Sequence, residues 1–140
     1  MNGNCIFCQI VAGQERAQAI ASWPDAIAFF PLNPATPGHT LLIPKAHYAD
    51  ILEVDQDTFA HLSRYSLTLA RAIRDGLSPD GLNLLSSAGP AASQTIFHLH
   101  IHLVPRWDKD RMGDIWPPDK AWDQKTLDNA ASSIKNSMTA

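Results

Sequence analysis

"FHLHIHLVPR", residues 97–106, sets His98, His100 and His102 at every second position, with Leu99 and Ile101 between them. Strict alternation of polar and apolar residues marks a half-buried β-strand. In such a strand residues two apart share a face and stand roughly 6.6 Å apart. The three histidines therefore line one face, and Leu99, Ile101 and Leu103 point into the core. The outer two are then about 13 Å apart on the same rise, whereas zinc–nitrogen bonds are only about 2.0–2.1 Å long. A regular strand cannot bring all three to one ion. The spacing suggests a division of labour, with a metal at one end of the row and other chemistry at the other. A solvated sheet face also alternates, and one histidine or an HxH pair would fit that description. Three in register, followed by Val104-Pro105-Arg106, do not.

Working outward, "HTLLIP" (39–44) and "GLNLLSS" (81–87) read as further strands, and "AIASW" (19–23) with "AIAFF" (26–30) as a hairpin around Pro24-Asp25. "TIFHLHIHLVP" (95–105) is the longest strand of this reading. Phe59, Leu62, Ser66, Leu69 and Ile73 step mostly by three and four, predicting a long amphipathic helix over about 55–77. Asp55 or Asp57 is its N-cap, and Gly76 lies near its end. "CIFCQIVAG" has helical spacing at Ile6, Phe7, Ile10 and Val11 and stops at Gly13. "NPATPG" (33–38) and "AGPAAS" (88–93) are loops by composition, and a last helix starts from about Gln124. Hairpin strands and one long helix, without βαβ alternation, make an α+β domain on an antiparallel sheet.

The chain of 140 residues is expected to form one domain, 1–140, with its core at about 5–106 and a less patterned tail at 107–140. Its net charge is −3 with the basic residues scattered, which gives no electrostatic footprint for duplex nucleic acid. No apolar run reaches the roughly 20 residues that span a bilayer, and the first residues lack the pattern of a secretory signal. Two cysteines, Cys5 and Cys8, fit a reduced cytoplasm. Their Cys-x-x-Cys spacing supplies two thiolates for a zinc that needs two more ligands, and His47 and His98 are candidates by chemical type. A redox pair or two inert buried thiols stay open at this point.

Three stretches, "CIFCQIVAG" (5–13), "LNPATPGHTLLIPKAH" (32–47) and "SQTIFHLHIHLVPR" (93–106), resemble the histidine triad family of nucleotide hydrolases and transferases, in particular its Hint-like bacterial branch. "WPP" at 116–118 is similar to a Trp-Pro element in the tails of such members. The resemblance implies a HIT-like antiparallel sheet with one long helix and a short N-terminal helix. It also implies attack on the α-phosphorus of a nucleotide by His100 through a covalent nucleotidyl-histidine, with release of a nucleoside monophosphate. Neutral imidazole suits that role, because a covalent intermediate splits one hard displacement into two easier ones.

By the same resemblance His102 contacts phosphate oxygens, His39 supports the site, and Gln94 acts on the phosphate or the leaving atom. Ser87, Ser93 and Thr95 border the phosphate. Ile6, Phe7, Ile10, Phe29, Leu32 and Leu41 form the nucleoside pocket, with a purine expected. Cys5, Cys8, His47 and His98 hold a structural zinc, and the chain is a homodimer. Three positions depart from the family pattern: Pro31 replaces a ribose-binding aspartate, Ser87 an asparagine and Ser93 a glycine. A nucleotide-binding regulator with little turnover, or a metal-dependent hydrolase with an open HxH site at His100 and His102, are the competing expectations. His61 matches nothing in the family and reads as a solvated helix residue.

Overall fold

The computed structural model describes residues 3–119 and 121–138, so the termini of the expected 1–140 domain and Lys120 lie outside the described residues. Five strands, β1 (Gln18–Ser22), β2 (Ala26–Phe30), β3 (Thr40–Pro44), β4 (Gly81–Leu85) and β5 (Ile101–Arg106), form one sheet in the order β1-β2-β3-β5-β4. Every pairing is antiparallel, and β1 and β2 form the expected hairpin with a bulge between Ala19 and Ala21. The α+β reading holds.

Both faces of the sheet are covered at its centre, which is why every residue of β3 is buried while the edge strands β1 and β4 stay largely exposed. On one face lies α2 (Gln56–Leu77), whose Leu62, Leu69 and Ile73 pack with Ala28, Leu42, Leu99, Ile101 and Leu103. On the other lies α1 (Ile6–Val11), whose Phe7 packs with Phe29, Leu41 and Ile43. Successive β3 residues thus serve opposite cores, as the strand period of two requires. Asp55 caps α2 by accepting the Thr58 N–H at 3.0 Å. The helix runs through Gly76 and stops instead at Ser78, which takes the left-handed conformation at φ 49°. His61 lies exposed on α2, as expected, and carries a contact besides. Its Nδ1 lies 2.7 Å from Asp25, which also accepts the Tyr65 hydroxyl at 2.6 Å, so the hairpin turn is fastened to α2.

The expected strand over 95–105 is the main correction. Its ladder begins only at Ile101, leaving His98 and His100 on irregular backbone. The neighbours explain this. β4 ends at Leu85, opposite His102, and the Ser86 hydroxyl takes the His100 carbonyl at 2.7 Å in place of a ladder bond. On the β3 side Pro44 has no N–H to give, and its carbonyl accepts from the His98 ring at 2.8 Å. The final helix, α3 (Gln124–Ser137), begins where expected, with Asp123 as its cap, and buries no residue. No helix among the described residues is long and apolar enough to cross a membrane.

Candidate functional site

Leaving the ladder lets the histidine row divide. His98 is fully buried, and its Nε2–H is engaged by the Pro44 carbonyl. That fixes the tautomer and turns the Nδ1 lone pair toward two sulfurs, Cys5 Sγ at 3.4 Å and Cys8 Sγ at 3.5 Å. His47 Nδ1 lies 3.3 Å from Cys8 Sγ. The four ligand atoms of Cys5, Cys8, His47 and His98 all fall within 4.8 Å of one another, the one such group among the described residues. Tetrahedral zinc with ordinary Zn–S and Zn–N lengths sets its ligand atoms about 3.3–3.8 Å apart. The donor set fits, and three of its pairs, at 3.3–3.5 Å, already stand at that spacing. Burial raises the Cys5 thiol and holds the His98 imidazole down at about 4, so the histidine is neutral, as a ligand must be.

The other end of the row is organised by a relay of hydrogen bonds. The Ala35 N–H donates to His39 Nδ1 at 2.9 Å, so the His39 proton sits on Nε2. That proton faces His102 Nδ1 at 2.9 Å, which places the His102 proton on its own Nε2. His100 is set the opposite way. Its Nδ1–H donates to the His98 carbonyl at 2.7 Å, leaving an Nε2 lone pair. Burial lowers the basicity of His39, His100 and His102, the last to about 4, with the charges of His100 and His39 as its lesser causes. All three rings are therefore neutral near pH 7. The arrangement presents one nucleophilic nitrogen on His100 beside one N–H donor on His102, with ring centres 4.8 Å apart.

Of the expected nucleoside residues, Phe7, Phe29 and Leu41 come together in one buried cluster, with Ile6 and Ile10 at its edge. Phe7 stands edge-on to Phe29 at 5.5 Å and to His100 at 5.1 Å, tying that cluster to the histidine row. Leu32 does not join it and is 93% exposed. Ser87 and Ser93 lie on the loop between β4 and the histidine row, and Thr95 follows it. Gln94, expected to act on the phosphate or the leaving atom, stands at the end of that loop with its amide engaged by backbone groups. It is buried, its Nε2 donates to the carbonyls of Ala49 and Ile96, and its Oε1 accepts the Gly89 N–H. Sequence reasoning missed the backbone groups of Ala35, Pro44 and His98 that set the three tautomers. A backbone group carries no residue-type signal, and Pro44 alone hints at one by lacking a competing N–H.

A HIT domain profile matches residues 12–109. The crystal structure of a HIT family protein from Bacillus anthracis is 36% identical, covers 99% of this chain and 100% of its own, and superposes with a TM-score of 0.87. A Zn-bound histidine triad family protein from Mycobacterium smegmatis is 34% identical over 96% of this chain and 98% of its own, with a TM-score of 0.74. The Adenylylsulfatase HINT3 of Arabidopsis thaliana is 33% identical over 79% of this chain, which matches 56% of that longer protein. With a family domain spanning most of its length and a fold that superposes on these relatives over nearly the whole chain, the chain belongs to the HIT domain family.

Proposed function

We propose that the protein is a nucleotide-binding hydrolase that cleaves nucleoside phosphoramidates or dinucleoside polyphosphates at the α-phosphate. The carrying observation is the His100 Nδ1–H bond to the His98 carbonyl, 2.7 Å long, which leaves Nε2 as a free base. That nitrogen attacks the α-phosphorus. An N–P bond forms, the bond from phosphorus to the leaving amine or phosphate breaks, and its electron pair departs with the leaving group, which takes up a proton. Water then attacks phosphorus and gives up a proton to solvent, balancing the one the leaving group drew from it. The N–P bond breaks back to neutral imidazole, and a nucleoside monophosphate is released. The His102 Nε2–H, with the hydroxyls of Ser87, Ser93 and Thr95, serves the non-bridging oxygens, where charge builds in each transfer. A carbonyl partner on Nδ1 also steadies the positive charge the His100 ring gains on attack.

The nucleoside, expected to be a purine, lies at the edge of the buried aromatic cluster against the partly buried Ile6 and Ile10, with Phe7, Phe29 and Leu41 packed behind them. Zinc held by Cys5, Cys8, His47 and His98 would tie α1 to the histidine row. Four protein ligands leave it no open position, so its contribution is structural. The chain is a single cytoplasmic domain acting as a homodimer. The unpaired edge of β4, with Leu82 and Leu84 exposed, is the surface such a dimer would cover.

The test is AMP release from adenosine 5′-phosphoramidate by the wild type and by His100→Ala. Loss of turnover in a folded His100→Ala variant is expected, and turnover that survives sinks the assignment. One observation favours a second reading, a nucleotide binder with little turnover: Pro31 and the exposed Leu32 weaken the ribose end of the site. Nucleotide binding with no release from any phosphoramidate or dinucleoside polyphosphate would select it.

A further inference from the structure

We infer that Gln94 is a positioning residue, which sets the phosphate loop at 86–93 by clamping Gly89 to the segment that follows His47. The inference rests on the proposed role of that loop in receiving phosphate. It gives Gln94 a different part from direct action on the substrate.

The side chain is 5% exposed and fully engaged. Its Oε1 accepts the Gly89 N–H at 2.8 Å, and its Nε2 donates to the Ala49 carbonyl at 2.8 Å and the Ile96 carbonyl at 3.1 Å. Both N–H bonds are used, so no donor remains for a substrate. The assignment of the amide is unambiguous. Reversed, it would set an NH2 group against an N–H and an oxygen against two carbonyls.

Gly89 is where such a clamp is needed. Its backbone, at φ 93° and ψ 156°, is a conformation almost confined to glycine. Its carbonyl is held from the same side, by the N–H groups of Ala92 at 3.1 Å and Gln94 at 3.2 Å. Gly89 is thus fixed through both its N–H and its carbonyl, the groups of its two flanking peptides. At the loop's other end the Ser86 hydroxyl binds the His100 carbonyl at 2.7 Å. Ser87 and Ala88 therefore span two fixed points, one of them on the nucleophile's own backbone. The base of the clamp is rigid too, because the Leu99 N–H binds the Tyr48 carbonyl at 2.7 Å, one residue before Ala49. Gln94 so links the metal-ligand segment, the histidine row and the loop through one amide.

The experiment compares the full-length wild type with Gln94→Met, which keeps the length and removes every side-chain hydrogen bond. It reads amide hydrogen exchange at Gly89, metal content, and binding of AMP and of adenosine. The Gly89 amide of the wild type is expected to exchange as slowly as strand amides, although it lies in a loop. In Gln94→Met it should exchange at least about tenfold faster, and AMP should bind at least about tenfold more weakly. Metal content and adenosine affinity should not change, which a general loss of structure would not allow. Loss of kcat with AMP affinity and Gly89 protection intact would overturn the inference in favour of direct catalysis. Fast exchange at Gly89 in the wild type would overturn it even if the variant failed to fold. A wild type that bound neither AMP nor adenosine would retire the proposed function, while Gly89 protection would still decide whether Gln94 holds the loop.

Discussion

Replacing His102 by glutamine removes an imidazole that the fold keeps neutral, and the effect is read in acid. The ring is wedged between His39 and His100, with Nδ1 2.9 Å from His39 Nε2. Burial, and then the charges of His100 and His39, bring its pKa from 6.5 to about 4. The unfolded chain protonates this ring near 6.5 and the folded chain only near 4. Between those values the unfolded state binds more protons, so stability is intact above the window and falls as pH falls through it. At pH 4.5 the linkage relation gives a loss of about 2.5 kcal/mol relative to neutral pH from this group alone. His102→Gln has no such group, while its amide oxygen can still accept the His39 proton. Urea unfolding of both proteins at pH 7.5 and 4.5 provides the comparison, since losses from His98, from carboxylates and from released metal are common to both. The wild type should lose about 2.5 kcal/mol more than the variant. Parallel losses within a few tenths of a kcal/mol would refute the claim that the fold holds His102 neutral.

The lowered pKa of His100 predicts that the acid limb of its activity lies below pH 6.5, because the neutral ring is the reactive form; a pH profile of kcat/KM with that limb at or above 6.5 would contradict it. Cys8→Ser removes a buried thiol from the metal cluster and should reduce bound zinc from one per chain to well below that, by elemental analysis, with a fall in Tm. Gly38→Ala meets φ 91° and drives its new Cβ into Leu77, so denaturant titration should show a loss of about 1–3 kcal/mol. Leu84→Lys charges the exposed face of the β4 edge and should shift a dimer toward monomer in sedimentation.

Most of the frame was legible because one physical signal dominated each element. α2 could be placed from Leu62, Ser66, Leu69 and Ile73, since a long helix against a sheet must bury one stripe, and those four residues are its buried ones. The metal cluster was legible from ligand chemistry and family resemblance together, because two thiols need partners of limited types. The histidine row was only half legible. Alternation placed Leu99 and Ile101 correctly in the core, but it could not show that the ladder starts at Ile101. What breaks the ladder is competition for backbone groups, by a serine from another strand and by an imidazole reaching Pro44. Such competition depends on three-dimensional neighbours. The partners of Gln94 were not legible for a related reason, since a glutamine amide serves a phosphate or a backbone equally well and its backbone partners lie on distant segments.

The irregular stretch from Ile96 to His100 is what gives equivalent residues unequal chemistry. On a regular strand three histidines would share one face, one spacing and nearly one environment. Here each ring has one nitrogen assigned by a different partner. The Pro44 carbonyl takes Nε2 of His98, leaving Nδ1 for the cluster with Cys5 and Cys8. The His98 carbonyl takes Nδ1 of His100, leaving an Nε2 lone pair, the nitrogen proposed to attack phosphorus. His39, itself set by the Ala35 N–H, fixes His102 as a donor. The His98 carbonyl is free for His100 only because residue 98 has left the ladder, where that oxygen would bond a neighbouring strand. The backbone that fails to pair as a strand is therefore the group that orients the His100 ring. A substitution that restored regular pairing at 98 would cost activity while leaving every histidine in place.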